Sequence, residues 1–542
     1  MVEDEEEYWN AFDNPTTPQD IVDVLPAGCP ETAEHYNSYK VLQEARATAS
    51  SDPELKYSSL VTRLRMQSEM SRVGGGMKPR FYQEDCAEAF LLGVNTGLIC
   101  ATGSGKTEAF VLPLFADPEQ KSKIIIISPL NALQTDHAKR FTKYGITAAA
   151  VNGETYSDTL HERLAKGDIR AIITSPEMMF KHAQFSKFFR DALWMKKILG
   201  VVIDEAHCVL EWGKEFRRDF DSVDNTRAYM ASKPFFFCTA TLTPSMFDEL
   251  LKKLSFPRQK KFILNLGCER HNVTPLVCRL KGPSDYGALD FILDEALSDS
   301  PKPLIPTLIY AEARATVLNI WLYLMSKLPS DSAYRDQVDF LMSTRDETVK
   351  TIVLAKFLYG KVKILCSTEA AGMGLDARTR RVVQFGVPRS LLQWQQHAGR
   401  AGRDGNPAYA LLLVEPSVFQ VINQTAQLAN LEGPEYRKHL DEDMRDLCMT
   451  EECRRKVTMS AFNSPPPMKE ALEDLRSKFW KENYSGTMLT MTTILPDSTL
   501  STLASEAKIA TMADLELFLP GWDFAKEMGP IVLTTIQDVD TR

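Results

Sequence analysis

The sequence predicts an α/β protein: two tandem parallel-sheet lobes followed by a small helical C-terminal region. Three observations carry this. First, short and continuously apolar runs recur with helical patterns between them, which marks parallel strands covered on both faces. Those runs are Lys123–Ile127, Ala171–Thr174, Leu199–Ile203 and Phe235–Thr239, then Thr307–Tyr310, Val362–Thr368 and Arg381–Phe385. Second, the runs end in polar residues, and in open α/β sheets ligands bind at that end of the strands. Third, a Gly-rich turn, Cys100–Thr107, sits between an apolar run (Leu91, Leu92, Val94, Leu98, Ile99) and a helical pattern (Glu108–Leu114).

The totals bound the answer. A chain of 542 residues that is 44% hydrophobic and 25% charged has room for about three or four globular domains. Net charge is −9, and the first twenty residues hold seven acids and no Lys or Arg, which leaves −2 for the rest. A near-neutral remainder neither demands nor excludes nucleic acid; any such footprint must be a local groove. The ten cysteines are scattered and form no Cys-x-x-Cys pair, as expected of reduced thiols in a nuclear or cytosolic protein. No apolar leader and no run long enough to span a bilayer are visible, so no membrane partner is expected. Nuclear residence is the expectation, with Lys252-Lys253 and Lys260-Lys261 as a candidate import signal and the cytoplasm as the alternative.

In chain order, residues 1–54 are polar and acidic and are expected to form a solvated, disordered tail. Val61–Met70 has the pattern of a short helix, and Gly74–Gly76 a flexible joint. Arg80-Phe81-Tyr82-Gln83 opens the next helical pattern, and the Gln83 amide offers the donors and acceptor that match one edge of adenine. Thr102-Gly103-Ser104-Gly105-Lys106-Thr107 has the composition of a phosphate cradle. Gly103 and Gly105 allow successive N–H groups to face one concavity. The helix beginning near Lys106 presents its positive dipole end. Lys106 is placed for the β/γ-phosphates and Thr107 for Mg²⁺. Asp204 and Glu205 close the run Val201–Ile203; an Asp there holds Mg²⁺ through water, and the adjacent Glu orients or deprotonates the attacking water. His207 is placed to couple that site to its neighbours. In the second half, Gln396-His397-Ala398-Gly399-Arg400-Ala401-Gly402-Arg403 places two arginines three apart, expected on one helix face. Guanidiniums there, delivered to the first lobe's γ-phosphate, would make ATP close the cleft.

The ordered set ATGSGKT, ISPLNAL, TSPEMM, VIDEAH, CTATLT, LIYAEAR, STEAAGMGLDA and QHAGRAGRDG resembles the motifs of superfamily 2 helicases. Cys208–Arg217 is similar to the aromatic-rich loop of RecQ-type DNA helicases. The resemblance covers roughly residues 75–425. It implies two RecA-like lobes with ATP and Mg²⁺ between them, single-stranded DNA across both, and 3′-to-5′ movement with unwinding of tailed duplex. Carried over residue by residue, it implies nucleotide contacts at Arg80, Gln83, Thr102 to Thr107 and Asp376. Metal and water roles fall to Thr107, Asp204 and Glu205, and the sensor and finger roles to Gln396, Arg400 and Arg403. Ser128, Thr174 and Thr368 match nucleic-acid backbone contacts, with Thr239 and Thr241 there or coupling the lobes. Trp212, Phe216 and Arg217 match the loop that stacks on bases. Ala377 stands where RecQ enzymes usually carry Pro, and His397 where they carry Glu. Glu452-Cys453-Arg454-Arg455 resembles the start of the family's zinc module, but no cysteine follows Cys453, so zinc is not expected. The expected division is residues 55–264 as lobe one and 265–425 as lobe two. Residues 426–485 are then a helical remnant of the zinc region with a Pro-rich linker, and 486–542 a small helical module faintly similar to a helicase C-terminal DNA-binding module. The alternative readings are an RNA-directed motor on the same fold and a non-catalytic DNA-binding scaffold; protein partners are not indicated.

Overall fold

The computed structural model describes residues 30–540 except 54, 56, 211–225, 228, 271, 299, 301, 370–376, 424–434, 452, 465–467, 485–489, 497–498, 501–502, 504–508, 510 and 520. Trp212, Phe216, Arg217, Asp376 and the first 29 residues therefore lie outside the described residues.

Lobe one is a seven-stranded parallel sheet in the order β3-β4-β2-β5-β6-β1-β7. The strands are β1 Asn95–Ile99, β2 Lys123–Ile127, β3 Ala148–Val151, β4 Ala171–Thr174, β5 Ile198–Ile203, β6 Phe235–Thr239 and β7 Lys261–Asn265. Every residue of β1, β2 and β6 is buried, which is why these runs carry no polar alternation. One face packs Ile125, Val201 and Phe237 into one apolar cluster, and the other packs Ile126, Val202 and Phe236 into a second. Lobe two is a six-stranded parallel sheet, β10-β11-β9-β12-β13-β8. Its strands are β8 Val273–Arg279, β9 Thr307–Ala311, β10 Val338–Leu341, β11 Ile364–Ser367, β12 Arg381–Phe385 and β13 Ala408–Val414. Both expected lobes are thus present, joined through residues 266–272.

Among the described residues, three helices precede β1: α1 Pro30–Ser51, α2 Ser59–Val73 and α3 Phe81–Leu91. The first corrects the expectation of a tail running to residue 54. Leu42 is fully buried against lobe one. The Ser38 hydroxyl both donates to the Ile263 carbonyl and accepts from the Ile263 N–H, each at 2.9 Å. Few apolar anchors among the described residues, Leu42 and Ala49 with Tyr39 beside them, and a set of polar ties leave no stripe for the sequence to show. Those ties converge on α3. The Glu88 carboxylate, with its side chain fully buried, takes Arg46 at 2.6 Å, Arg63 at 2.8 Å and the Tyr57 hydroxyl. Burial works against the charge there, yet the two guanidiniums hold Glu88 down to about 2. Beside it, burial pushes Glu84 up to about 7.

The C-terminal division also needs correction. Met444, Leu447 and Cys448 of one helix (Glu442–Met449) and Ala461 and Phe462 at the end of the next (Arg454–Ala461) pack into the core of lobe two. Leu472 and Phe479 of helix Met468–Asn483 belong to a separate cluster with Leu515, Trp522 and Val532. The stretch 426–485 is therefore split: its first part completes lobe two, and its last helix opens the terminal module.

Candidate active site

The tips of the lobe-one strands gather the predicted groups. β1 pairs with β6, β6 with β5, and β5 with β2, all parallel, so the turn after Ile99, Thr239, Asp204 and Ser128 share one edge of the sheet.

The turn after β1 runs into α4, Lys106–Ala116, as the strand–turn–helix pattern predicts. Gly105 is its left-handed N-cap at φ 92°, and a Cβ there would come within 2.3 Å of Gln83 Nε2. Gln83 accepts from the Arg80 N–H at 2.8 Å and donates to the Gly105 carbonyl at 2.9 Å. It thus braces the turn through backbone contacts, and Tyr82 adds a bond to the Ser104 carbonyl. The Lys106 ammonium lies inside the concavity, donating to the carbonyls of Cys100 (3.1 Å) and Ala101 (3.2 Å). A loop of backbone amides at a helix start with a cation at its centre is a site for phosphate oxygens.

Asp204 is buried at the end of β5. Its Oδ2 meets His137 Nε2 at 2.8 Å, and its Oδ1 accepts from the Cys238 thiol at 3.3 Å. Burial alone would raise its pKa; His137, Cys238 and the Lys106 charge together overcome that and hold it below the usual carboxylate range. An ionised Asp204 and the half-buried Thr107 hydroxyl fit a divalent cation held partly through water. Glu205 follows at φ 48°, a backbone region that a non-glycine residue rarely takes. Strain of this kind clusters at functional positions.

Lobe two meets this edge directly. Helix α5, Leu391–Ala398, ends where Gly399 begins. The expectation that Arg400 and Arg403 share a helix face is therefore corrected. Both lie on turns beyond the helix, and Gly402 at φ 59° carries the chain away from helical geometry. The turn nonetheless brings Arg403 beside Gly103, while Arg400 stays behind it on Tyr310. The Thr102 hydroxyl donates to the Gly399 carbonyl at 2.8 Å, across the lobes. A Cβ on Gly399 would sit 2.4 Å from that hydroxyl, and one on Gly103 would sit 3.9 Å from Arg403 Cγ. Arg400 is buried and bonds Tyr310, whose hydroxyl burial pushes up to about 12 against the charges of Arg400 and Arg403. Gln396 Nε2 meets His207 Nε2 at 2.8 Å, and His207 Nδ1 meets Thr239 Oγ1 at 2.9 Å. A donor amide on Nε2 places the imidazole proton on Nδ1, facing the Thr239 hydroxyl. Lobe two thereby touches the turn that follows β5 from Asp204 through one side-chain relay.

His397 lies flat on Tyr310, ring centroids 3.8 Å apart, and pairs through Nδ1 with Gln384 at 2.8 Å. Burial, with the Arg400 charge beside it, pushes the ring down to about 3, so it is neutral.

Two residues expected at the nucleic-acid interface are enclosed by the fold. Ser128 and Thr174 are both fully buried. Thr174 Oγ1 donates to the Val151 carbonyl at 2.9 Å, and the Ser128 N–H bonds the Thr174 carbonyl at 3.0 Å. They brace strand ends, because the apolar runs that carry them bury their last residues too. Thr241 is buried as well; Thr368 is half-buried at the end of β11.

The sequence reading missed Arg270, His137 and Asn272. Arg270 Nη1 donates to the Thr102 carbonyl at 2.8 Å, and its Nη2 to the Gly402 carbonyl at 2.6 Å. It stands in an irregular linker with no periodicity or motif spacing to flag it.

Comparison with known proteins agrees with this geometry. Residues 80–250 match the DEAD/DEAH box helicase family, and residues 294–405 the helicase conserved C-terminal domain. The chain is 27% identical over 404 residues to the ATP-dependent DNA helicase RecQ of Haemophilus influenzae, covering 73% of this chain and 61% of that one. It is 27% identical over 384 residues to RecQ of Bacillus subtilis, covering 69% and 60%. The chain thus spans about three fifths of the length of these relatives. Among solved structures, the DEAD-box helicase Mss116 bound to single-stranded RNA and UDP-BeF shares the fold at TM-score 0.53 and 16% identity, covering 87% of this chain and 94% of that one. The DUF1998 helicase MrfA bound to DNA and AMPPNP does so at 0.52 and 17%, covering 78% and 60%.

Proposed function

For a chain that carries both helicase domains in this order and resembles RecQ enzymes over most of its length, we propose an ATP-dependent DNA helicase that moves 3′ to 5′ along single-stranded DNA. One observation carries the reading: the phosphate cradle of lobe one is contacted by the Gly-Arg turn of lobe two, through Thr102 and Gly399 and with Arg403 beside Gly103. A site built from two bodies makes nucleotide occupancy a force between them.

In this mechanism Lys106 and the turn amides hold the β- and γ-phosphates. Asp204 and Thr107 would hold Mg²⁺, which when bound neutralises charge developing on the phosphate oxygens. Glu205 orients the attacking water and accepts its proton. Arg403, with Arg400 behind it on Tyr310, supplies the guanidinium that the transition state requires from the far lobe. The Gln396–His207–Thr239 relay reports lobe position to the Asp204 strand. Opening one base-pair step costs about 1.4 kcal/mol, so each cycle needs to bias only a modest barrier.

The grip on DNA is assigned to the lobes. Residues 468–542 carry seven Lys and Arg against twelve Asp and Glu, a poor composition for neutralising phosphates. The test is ATP hydrolysis and strand separation measured together on a 3′-tailed DNA duplex. Single-stranded DNA is expected to stimulate hydrolysis, and Lys106→Ala and Glu205→Gln to abolish it. Stimulation by RNA and not by DNA would move the assignment to an RNA motor.

A further inference from the structure

The linker between the lobes is held from a third direction. Helix Arg454–Ala461 and the residues after it lie along it. Arg455 pairs with Glu269, and its two arms reach the Arg270 carbonyl at 3.4 Å and the Val273 carbonyl at 2.6 Å. Ser464 Oγ accepts the Cys268 N–H at 3.2 Å, and the Asn463 carbonyl accepts Asn265 Nδ2 at 2.8 Å. From lobe two, Gln395 Nε2 donates to the Cys268 carbonyl at 3.0 Å. The backbone of Arg270 is thus pinned on both sides by Arg455, while its side chain joins the carbonyls of Thr102 and Gly402. That side chain is costly where it stands: burial and the neighbouring Arg403 charge press its pKa down from the ordinary guanidinium value. This half-buried cation lies beside Arg403, with Asp404 and Glu269 partly offsetting that repulsion, and its described hydrogen bonds go to backbone carbonyls and the Asn272 amide of the segments it joins, a pattern that fits a coupling role.

We propose that Arg270 is the positioning residue that ties the phosphate cradle to the Gly-Arg turn, and that Arg455 sets it, so that the segment after lobe two controls how the two halves of the site move together. This rests on the nucleotide-site reading above. The segment stands where the resemblance places the start of a zinc module; here it acts on the linker through guanidinium and hydroxyl contacts.

Hydrogen exchange on the full chain without nucleotide tests the coupling independently of turnover. Arg455→Ala is expected to speed exchange about tenfold at residues 101–107 and 399–403, the size expected for losing a charge-assisted bond. Arg270→Ala should do the same, and the double variant should add nothing to either single change, as two residues on one path require. Arg455→Lys, which keeps the charge facing Glu269 and loses the second arm, should fall between and guards against misfolding as the cause. In steady state, Arg270→Ala is expected to lower DNA-stimulated kcat about tenfold with KM for ATP nearly unchanged. Additive effects, or faster exchange confined to residues 454–464, would overturn the proposal. A wild type without turnover would sink the motor reading while leaving the exchange result to decide the coupling.

Discussion

The two lobes bring their chemistry to the cleft by different means. Lobe one holds Lys106, Thr107, Asp204 and Glu205 on the tip of a buried strand or the first turn of a helix. It is also backed by a buried ionic cluster on α3, where Glu88 gathers Arg46, Arg63 and Tyr57. Lobe two carries Gly399, Arg400 and Arg403 on an irregular turn beyond α5. Regular elements fix a side chain by the packing of a whole sheet; a turn fixes it through a few local bonds. The difference teaches a division of labour. Lobe one is built to bind, and lobe two to arrive.

Four changes break or sharpen that contrast. The largest effect is expected from Arg403→Ala. It should cost on the order of 10³-fold or more in turnover, as loss of a finger does in related phosphoryl transfer, while nucleotide binding to lobe one stays within a few-fold. Equilibrium binding of a fluorescent ATP analogue beside steady-state hydrolysis separates the two. If binding falls as far as turnover, the lobes do not divide the work. Next is Arg63→Ala, which leaves Glu88 and Asp85 short of a partner in the interior. Removing one member of a buried ion cluster costs about 3–5 kcal/mol, read as a lower midpoint in urea. Lobe two should be unaffected in its own unfolding step.

The third concerns His397. Its pKa is about 3 in the fold against 6.5 for a free imidazole, so the unfolded chain binds a proton that the native ring refuses. The resulting stability is fully present above pH 6.5 and is lost progressively as pH falls from there toward 3. His397→Phe keeps the stack on Tyr310 and drops the bond to Gln384, at a cost of about 1–3 kcal/mol near neutrality. Its thermal midpoint should depend less on pH through that window than the wild type does. The smallest effect is expected from Thr102→Val. It removes one neutral hydroxyl bond to the Gly399 carbonyl, worth about 0.5–1.5 kcal/mol, and should change turnover by no more than about tenfold.

Much of lobe one was legible in the sequence because its function follows its strands. Once β1 and β5 are recognised as buried runs, Lys106 and Asp204 fall at their ends by necessity. Lobe two was legible in its strands and in the identity of its arginines. The geometry of those arginines was not, since three-residue spacing fits a helix and a turn equally well. What stayed hidden shares one property. Ser38, Arg63, Arg270 and Arg455 act through scattered polar bonds to distant backbone or to buried carboxylates, and such bonds leave no period or run. The burial of Ser128 and Thr174 was hidden for the opposite reason: polar residues ending an apolar strand look like surface groups until the neighbouring strands are in place.

Among the described residues, β7 is the last strand of the lobe-one sheet, with β1 as its one neighbour within it. Its outer rim is a row of peptide groups of the kind that invites another chain to dock strand against strand. Ser38 closes that rim at Ile263 from both directions, and α1 lies along it. A shortened chain lacking α1 would lose the Leu42 anchor and the Arg46 partner of Glu88 and would also gain an adhesive border, so its failure is expected to show as self-association as well as lowered stability.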